Sequence, residues 1–287
     1  MTIVRIDAHQ HFWRYDPAEY GWIDESMTAL RRDFLPLDVK RDMDAAAVST
    51  CVAVQARQTL EETDWLLDLA DRHAFIAGVV GWVDLQAVDV EAQLERRADR
   101  ARLVGIRHIV QGERDDFLDR AQFRAGIARL ERFDLAYDIL VYARQLPAAV
   151  RFARAFPGQR FVLDHLGKPD IRHAGFREWR GDIGRLAALP NVCCKLSGLV
   201  TEADWRSWTA GQLRPYLDAT VESFGPARVM IGSDWPVCTV AATYQEVIDL
   251  VRDAVGEYSA TEKQQILYGT AQSVYLARKT FPAEEEI

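Results

Sequence analysis

The chain has 287 residues, of which 49% are hydrophobic and 27% charged, with a formal net charge of −8. That is ample for a self-sufficient core, and the acidic balance with scattered Lys and Arg argues against nucleic-acid binding, which needs a basic face to neutralise phosphates. No run approaches the about 20 apolar residues of a membrane span.

The apolar run at residues 3–8 is short and contains Arg5 and Asp7, so it does not read as a signal peptide. Four cysteines, two of them adjacent at Cys193 and Cys194, form neither a disulfide framework nor a paired metal motif. A reducing, cytoplasmic setting is the expectation, with Cys193 and Cys194 as core packing.

In chain order, short runs rich in Val, Ile and Leu predict strands at residues 4–9, 50–55, 75–83, 103–109, 135–142, 160–165, 191–197 and 228–234. Helical stretches separate them, including residues 60–73 with Trp65, Leu66 and Leu69, and residues 244–255 with Val247, Ile248 and Val251. Alternation of this kind implies parallel strands joined by right-handed crossovers. Eight such units predict the α/β class and a (β/α)8 TIM barrel, with residues 1–287 as one domain. Two connections are long, at residues 11–48 and 168–190, and both follow a strand, so they are expected to wall the carboxyl end of the barrel where such folds place their sites. Residues 282–287 read as a frayed tail.

The polar residues at strand ends carry the chemistry. His9 and His11 lie two apart on the first strand, so both imidazoles project to one face and converge on one centre. His165 closes the sixth strand and Asp234 the eighth. Asp164 competes with His165, but neighbours on a strand face opposite sides, and His165 is taken as the inward residue. Lys195 interrupts an apolar strand and reads either as a strand-end lysine reaching solvent or as a group in the mouth that binds a carbonyl or carboxylate oxygen. Arg107 and His108 face opposite sides of the fourth strand, so one of them is expected in the pocket. Trp13, Trp82, Tyr142 and Trp235 fall at or just after strand ends, where aromatic faces can pack on a sugar ring, and His173 lies in the loop after strand six. No GxSxG elbow, HExxH helix, Walker A loop or GxGxxG turn is present.

The segments DAHQHFW, DHLGKP, CKLSGL and IGSDWP, in this order across nearly the whole chain, resemble the amidohydrolase superfamily, and within it the branch of sugar-lactone hydrolases that act on L-fuconolactone or L-rhamnonolactone. The resemblance implies roles for His9, His11 and His165 as carbonyl-orienting or metal-binding groups and for Asp234 as the general base. It implies a small sugar lactone as substrate, with no nucleic-acid or membrane partner and the oligomeric state open. Binuclear members carry a bridging carboxylate on strand four and a histidine on strand five, where this chain has Arg107-His108 and Val141-Tyr142. A second metal is therefore not expected, since a cation at Arg107 would oppose it. One Zn or Mn ion on His9, His11, His165 and Asp234 fits the ligand types, but lactonases of this branch include metal-independent members, so no cofactor is expected to be required. In that mechanism Asp234 takes a proton from the attacking water, and His165 with Lys195 or Arg107 stabilises the oxyanion. Two other readings compete: a metal-dependent decarboxylase of an aromatic or unsaturated acid, and a non-catalytic sugar-acid binding protein on the same barrel.

Overall fold

Eight parallel strands alternate with helices in the structure, a computed structural model that describes residues 5–173 and 175–277. The strands are β1 (Arg5–Gln10), β2 (Val48–Val54), β3 (Ile76–Gly81), β4 (Leu103–Ile109), β5 (Ala136–Leu140), β6 (Phe161–Leu163), β7 (Val192–Leu196) and β8 (Val229–Ile231). Each pairs with the next in sequence order. The circle closes between the ends of β8 and β1, where His11 N–H donates to the Trp235 carbonyl at 2.6 Å and Asp234 N–H to the His9 carbonyl at 2.9 Å. The result is the expected (β/α)8 TIM barrel.

The helices are α1 (Pro36–Ala45), α2 (Leu60–Arg72), α3 (Val90–Ala98), α4 (Ala121–Leu130), α5 (Leu146–Ala155), α6 (Phe176–Ala187), α7 (Leu199–Glu202), α8 (Ala210–Phe224), α9 (Tyr244–Ala254) and α10 (Ala260–Gln264). Several start on side-chain caps: Thr59, Thr209, Thr243 and Ser259 each accept from the backbone N–H three residues on, which satisfies a donor that the helix leaves free. On α9 the buried stripe includes Val247, Ile248 and Val251, as the spacing predicts. No helix of the described residues is long and apolar enough to cross a membrane.

Apolar side chains such as Ile6, Val52, Val80, Val104, Val162 and Met230 fill the barrel interior. Tyr275, from the helical turn at Gln272–Leu276, packs with them from the far end of the chain. Its hydroxyl donates to Asp138 Oδ1 at 2.7 Å, so the closing helix is tied to β5 by a buried polar contact.

Most strands stop one to three residues short of their predicted ends, and at β6 and β8 the backbone shows why. Strand β6 ends at Leu163 because His165 and Leu166 take left-handed φ values of 53° and 54°, and β8 ends at Ile231 before Asp234 turns with φ 59°. Non-glycine residues rarely adopt that region, and it persists only where surrounding contacts enforce it. Position 4, given to the first predicted strand, and the tail at 282–287 lie outside the described residues.

Removing the Tyr275 hydroxyl in Tyr275→Phe leaves Asp138 Oδ1 buried without its donor, and we expect a loss of about 1–3 kcal/mol in urea denaturation. An unchanged midpoint and slope would contradict this placement of the closing helix.

Candidate active site

The four strand-end residues meet at the carboxyl end of the barrel. The Nε2 atoms of His9 and His11 lie 3.2 Å apart, and the His9 and His165 ring centroids are 4.4 Å apart. Asp234 Oδ1 lies 3.4 Å from His11 Nε2 and 3.8 Å from Nε2 of both His9 and His165. Asp7 fastens this arrangement from below. Fully buried, it accepts from Ser233 N–H at 2.8 Å, His9 N–H at 3.1 Å, Gln10 Nε2 at 2.7 Å and Tyr244 Oη at 3.1 Å, which ties β1 to the segment that carries Asp234. Two glycines make the close approach possible: a Cβ at Gly198 would meet His165 Nδ1 at 2.5 Å, and one at Gly232 would meet His9 Cβ at 2.8 Å.

Hydrogen bonds set the proton positions. His11 Nδ1 lies 2.8 Å from the Val54 carbonyl, which only accepts, so the proton is on Nδ1. The His11 Nε2 lone pair of the neutral ring then faces the Asp234 carboxylate. That approach is attractive only with a positive charge on or between the two groups, either a second proton on His11 or a bound cation. His165 Nδ1 pairs with Ser197 Oγ at 2.9 Å. Burial keeps His9 well below the usual histidine range, with the Lys195 ammonium adding to the effect, and brings His165 down to about 4. For Asp234, burial opposes ionisation, but His165, the close approach of His11 and His9 outweigh it and hold the carboxyl below the usual carboxylate range.

Beneath the histidines lies a charge network that sequence reasoning missed. Lys195 Nζ donates to Asp138 Oδ2 and lies 3.0 Å from Asp164 Oδ1 and 3.2 Å from His9 Nδ1. Arg107 Nη1 lies 3.0 Å from Asp164 Oδ2 and 3.2 Å from His9 Nε2, and its Nη2 donates to the Gln55 carbonyl. Two cations thus balance two carboxylates away from water. Burial pushes Asp138 up to about 6 against the pull of Lys195, whereas for Asp164 Lys195, His9 and Arg107 outweigh burial and hold the carboxyl well below its usual value. Two expectations are corrected here. Lys195 is not in the mouth but sealed under His9, and Asp164 points inward together with His165, because the left-handed turn at His165 ends the strand alternation.

Above the network opens a cavity of about 390 Å³ lined by His11, Arg107, Tyr142, His165 and Asp234 among others. Arg107, not His108, is therefore the residue of that pair on the pocket side. His108 is stacked on Phe117 with centroids 4.7 Å apart, beside Trp82 Nε1 at 3.4 Å and Glu113 at 3.3 Å, so neither His108 nor Trp82 lines the cavity. Trp13 and Trp235 are buried against Phe34 at 5.3 and 5.2 Å and serve packing. His173 is exposed, pairs with Asp170 at 2.8 Å and does not line the cavity. The long first connection does wall the cavity, through Trp22 and Met27, and the second through Lys168 and Arg172. Thr201, Glu202 and Trp205, after β7, were not foreseen; the available signal was the 13-residue stretch between β7 and α8. A larger cavity of about 530 Å³ lies at the opposite end of the barrel, but the one charged residue lining it among the described residues, Arg102, is engaged by the Ile76 and Ala77 carbonyls. Size alone does not make it the site, since the convergent polar groups are elsewhere.

Residues 6–276 match the family described as amidohydrolase. The chain belongs to the amidohydrolase family. It is 47% identical to an L-fucono-1,5-lactonase of Burkholderia multivorans over 96% of this chain and 97% of that protein. It is 41% identical to an L-fucono-1,5-lactonase of Burkholderia ambifaria over 84% of this chain and 83% of that protein. Among solved structures, an amidohydrolase from Burkholderia multivorans with bound zinc superposes with a TM-score of 0.91 at 46% identity, covering 95% of this chain and 99% of that one.

The donor set fits one divalent cation. His9, His11 and Asp234 each offer a ligand atom within 4.8 Å of the others, and the Nδ1 contact of His11 leaves its Nε2 free to ligate. A second ion does not fit beside it: Asp164, the next carboxylate, is already neutralised by Lys195 and Arg107.

Lys195→Met removes a buried cation from between two carboxylates. We expect a loss of about 3–5 kcal/mol in chemical denaturation, with part of it recovered in Lys195→Met/Asp138→Asn. Wild-type stability in the single variant would show that the network does not hold the barrel interior.

Proposed function

We propose that this amidohydrolase is a lactonase that opens a sugar lactone, L-fucono-1,5-lactone or a close relative, to the free sugar acid. The observation that carries the reading is the Asp234 carboxylate, held ionised among three imidazoles in a cavity where Arg107 and His165 also stand as donors suited to a carbonyl oxygen. The relatives named lactonase at 47% and 41% identity support the substrate class.

The mechanism follows from positions. A water beside Asp234 loses its proton to the carboxylate as its oxygen attacks the lactone carbonyl. Negative charge grows on the carbonyl oxygen, which is met by the Arg107 guanidinium and by His165 Nε2–H, the tautomer obtained when Ser197 Oγ–H donates to Nδ1. Asp234 then returns its proton to the departing ring oxygen, and the open-chain acid leaves. A divalent ion on His9, His11 and Asp234 would, when bound, supply Lewis-acid polarisation of the carbonyl. We infer that it is not required, because a lactone is an activated ester whose carbonyl the Arg107 guanidinium can polarise, and the Asp234 carboxyl is held below the usual carboxylate range.

The test is hydrolysis of a panel of aldonolactones by metal-quantified protein, followed with a pH indicator, with and without chelator. Turnover well above spontaneous hydrolysis that survives chelation is expected. No turnover of any aldonolactone defeats the functional reading, and turnover lost with the metal defeats the metal-independent route.

The acid limb of the pH profile gives a second check. A carboxylate with a depressed pKa keeps its basic form below the ordinary value of about 3.9, so kcat/KM is expected to stay level from about pH 8 down to about pH 5. A fall with its midpoint between about 6 and 7, the range of an ordinary histidine, would assign the base to an imidazole instead.

A further inference from the structure

The cavity has a second pole that the mechanism does not use. Lys168 follows β6 and Glu202 ends α7; both line the cavity, and Nζ lies 3.0 Å from Oε1. Their side chains are 15% and 18% exposed, so the pair is largely withdrawn from bulk water.

Both heads are held on fixed frames. Lys168 has φ 46°, continuing the left-handed turn that aims His165, and its N–H donates to the His165 carbonyl at 2.8 Å. Glu202 is steadied by the loop beyond it, where Arg172 Nε donates to the Ala203 carbonyl at 2.8 Å and Trp205 Nε1 to the Thr201 carbonyl at 2.9 Å.

Resting on the lactonase reading, we infer that Lys168 and Glu202 form a hydroxyl clamp that selects polyhydroxylated rings and sets their orientation. An ammonium has three donors and a carboxylate about four acceptor sites, and the ion pair uses one of each. Among the described residues Glu202 has one further hydrogen-bonding contact, a marginal one with Thr201 Oγ1 at 3.5 Å. Donors and acceptors therefore remain for a ligand, and their 3.0 Å spacing lets neighbouring hydroxyls of one ring engage both heads. As an anion, Glu202 accepts only from groups that carry a proton. A lactone carbonyl has none, so it is turned toward Arg107 and His165 while the hydroxyls lie at the Lys168–Glu202 end. The pair is neutral as a whole, which suits an uncharged sugar, and a site built for hydroxyls rejects the ring that lacks them.

The test compares L-fucono-1,5-lactone with δ-valerolactone, the same ring without hydroxyls, in wild type, Lys168→Met and Glu202→Gln. The ratio of the two kcat/KM values is expected to fall about 10- to 100-fold in each variant, as for the loss of a hydrogen bond to a charged group. A salt bridge that merely ties two loops would lower both rates together, and a ratio within twofold of wild type overturns the clamp. Glu202→Gln keeps the shape of the side chain and its contact with Lys168, which guards against an unfolded variant. Calorimetric titration with L-fucose, a pyranose that has no ester to hydrolyse, separates this inference from the reading beneath it. If wild type turns over no lactone, the functional proposal fails, while the titration still decides the clamp. Binding weakened at least about tenfold in both variants supports it; no binding to wild type, or equal binding in all three proteins, overturns it.

Discussion

Asp164 sits in the sealed barrel interior between Lys195 and Arg107, directly under His9. Charges so placed are costly unless each is matched, and a matched set has few alternative arrangements. Lys195 spans from β7 to Asp138 on β5, and Arg107 spans from β4 to the end of β2 and to Asp164 after β6. The network thereby links separate strands at one level, and the imidazoles of the site rest on it. His9 is its contact point, meeting Lys195 and Asp164 at Nδ1 and Arg107, His11 and Asp234 at Nε2.

From that support the division of labour in the cavity follows. The floor is anionic at Asp234 and cationic at Arg107, which suits a reaction that removes a proton from water and builds charge on a carbonyl oxygen. Left-handed backbone at His165, Lys168 and Asp234 turns these side chains inward at the strand ends. Local strain of this sort is held by surrounding contacts, here the Asp7 cluster and the close approach of Gly198 to His165.

The barrel was legible because its signal is periodic: eight apolar runs separated by amphipathic helices survive errors of a few residues at each end. His9, His11, His165 and Asp234 were legible as polar residues that terminate apolar strands. Asp164 was not, because the rule of alternating faces fails where β6 gives way to a left-handed turn, and no composition signal marks that turn in advance. Lys195 was noticed but placed too high, since sequence gives no depth along a barrel, and the carboxylate that holds it down, Asp138, lies 57 positions away. Trp13 and Trp235 looked like ring platforms at strand ends, yet the same positions also border the layer between barrel and helices, where large aromatics fill the core, and Trp82 turns to His108 instead. Glu202 was hidden by its setting in a short helix after β7, which reads as an ordinary connection.

In the proposed reaction Asp234 is the group that takes the proton. The most direct measurement is steady-state hydrolysis of L-fucono-1,5-lactone by wild type and Asp234→Asn, on folded protein of known metal content. An amide cannot accept that proton, so kcat is predicted to fall at least about 100-fold, the lower bound for loss of a general base, at an unchanged melting profile. A variant that retains the wild-type rate would contradict the account, whatever else in the cavity binds the lactone.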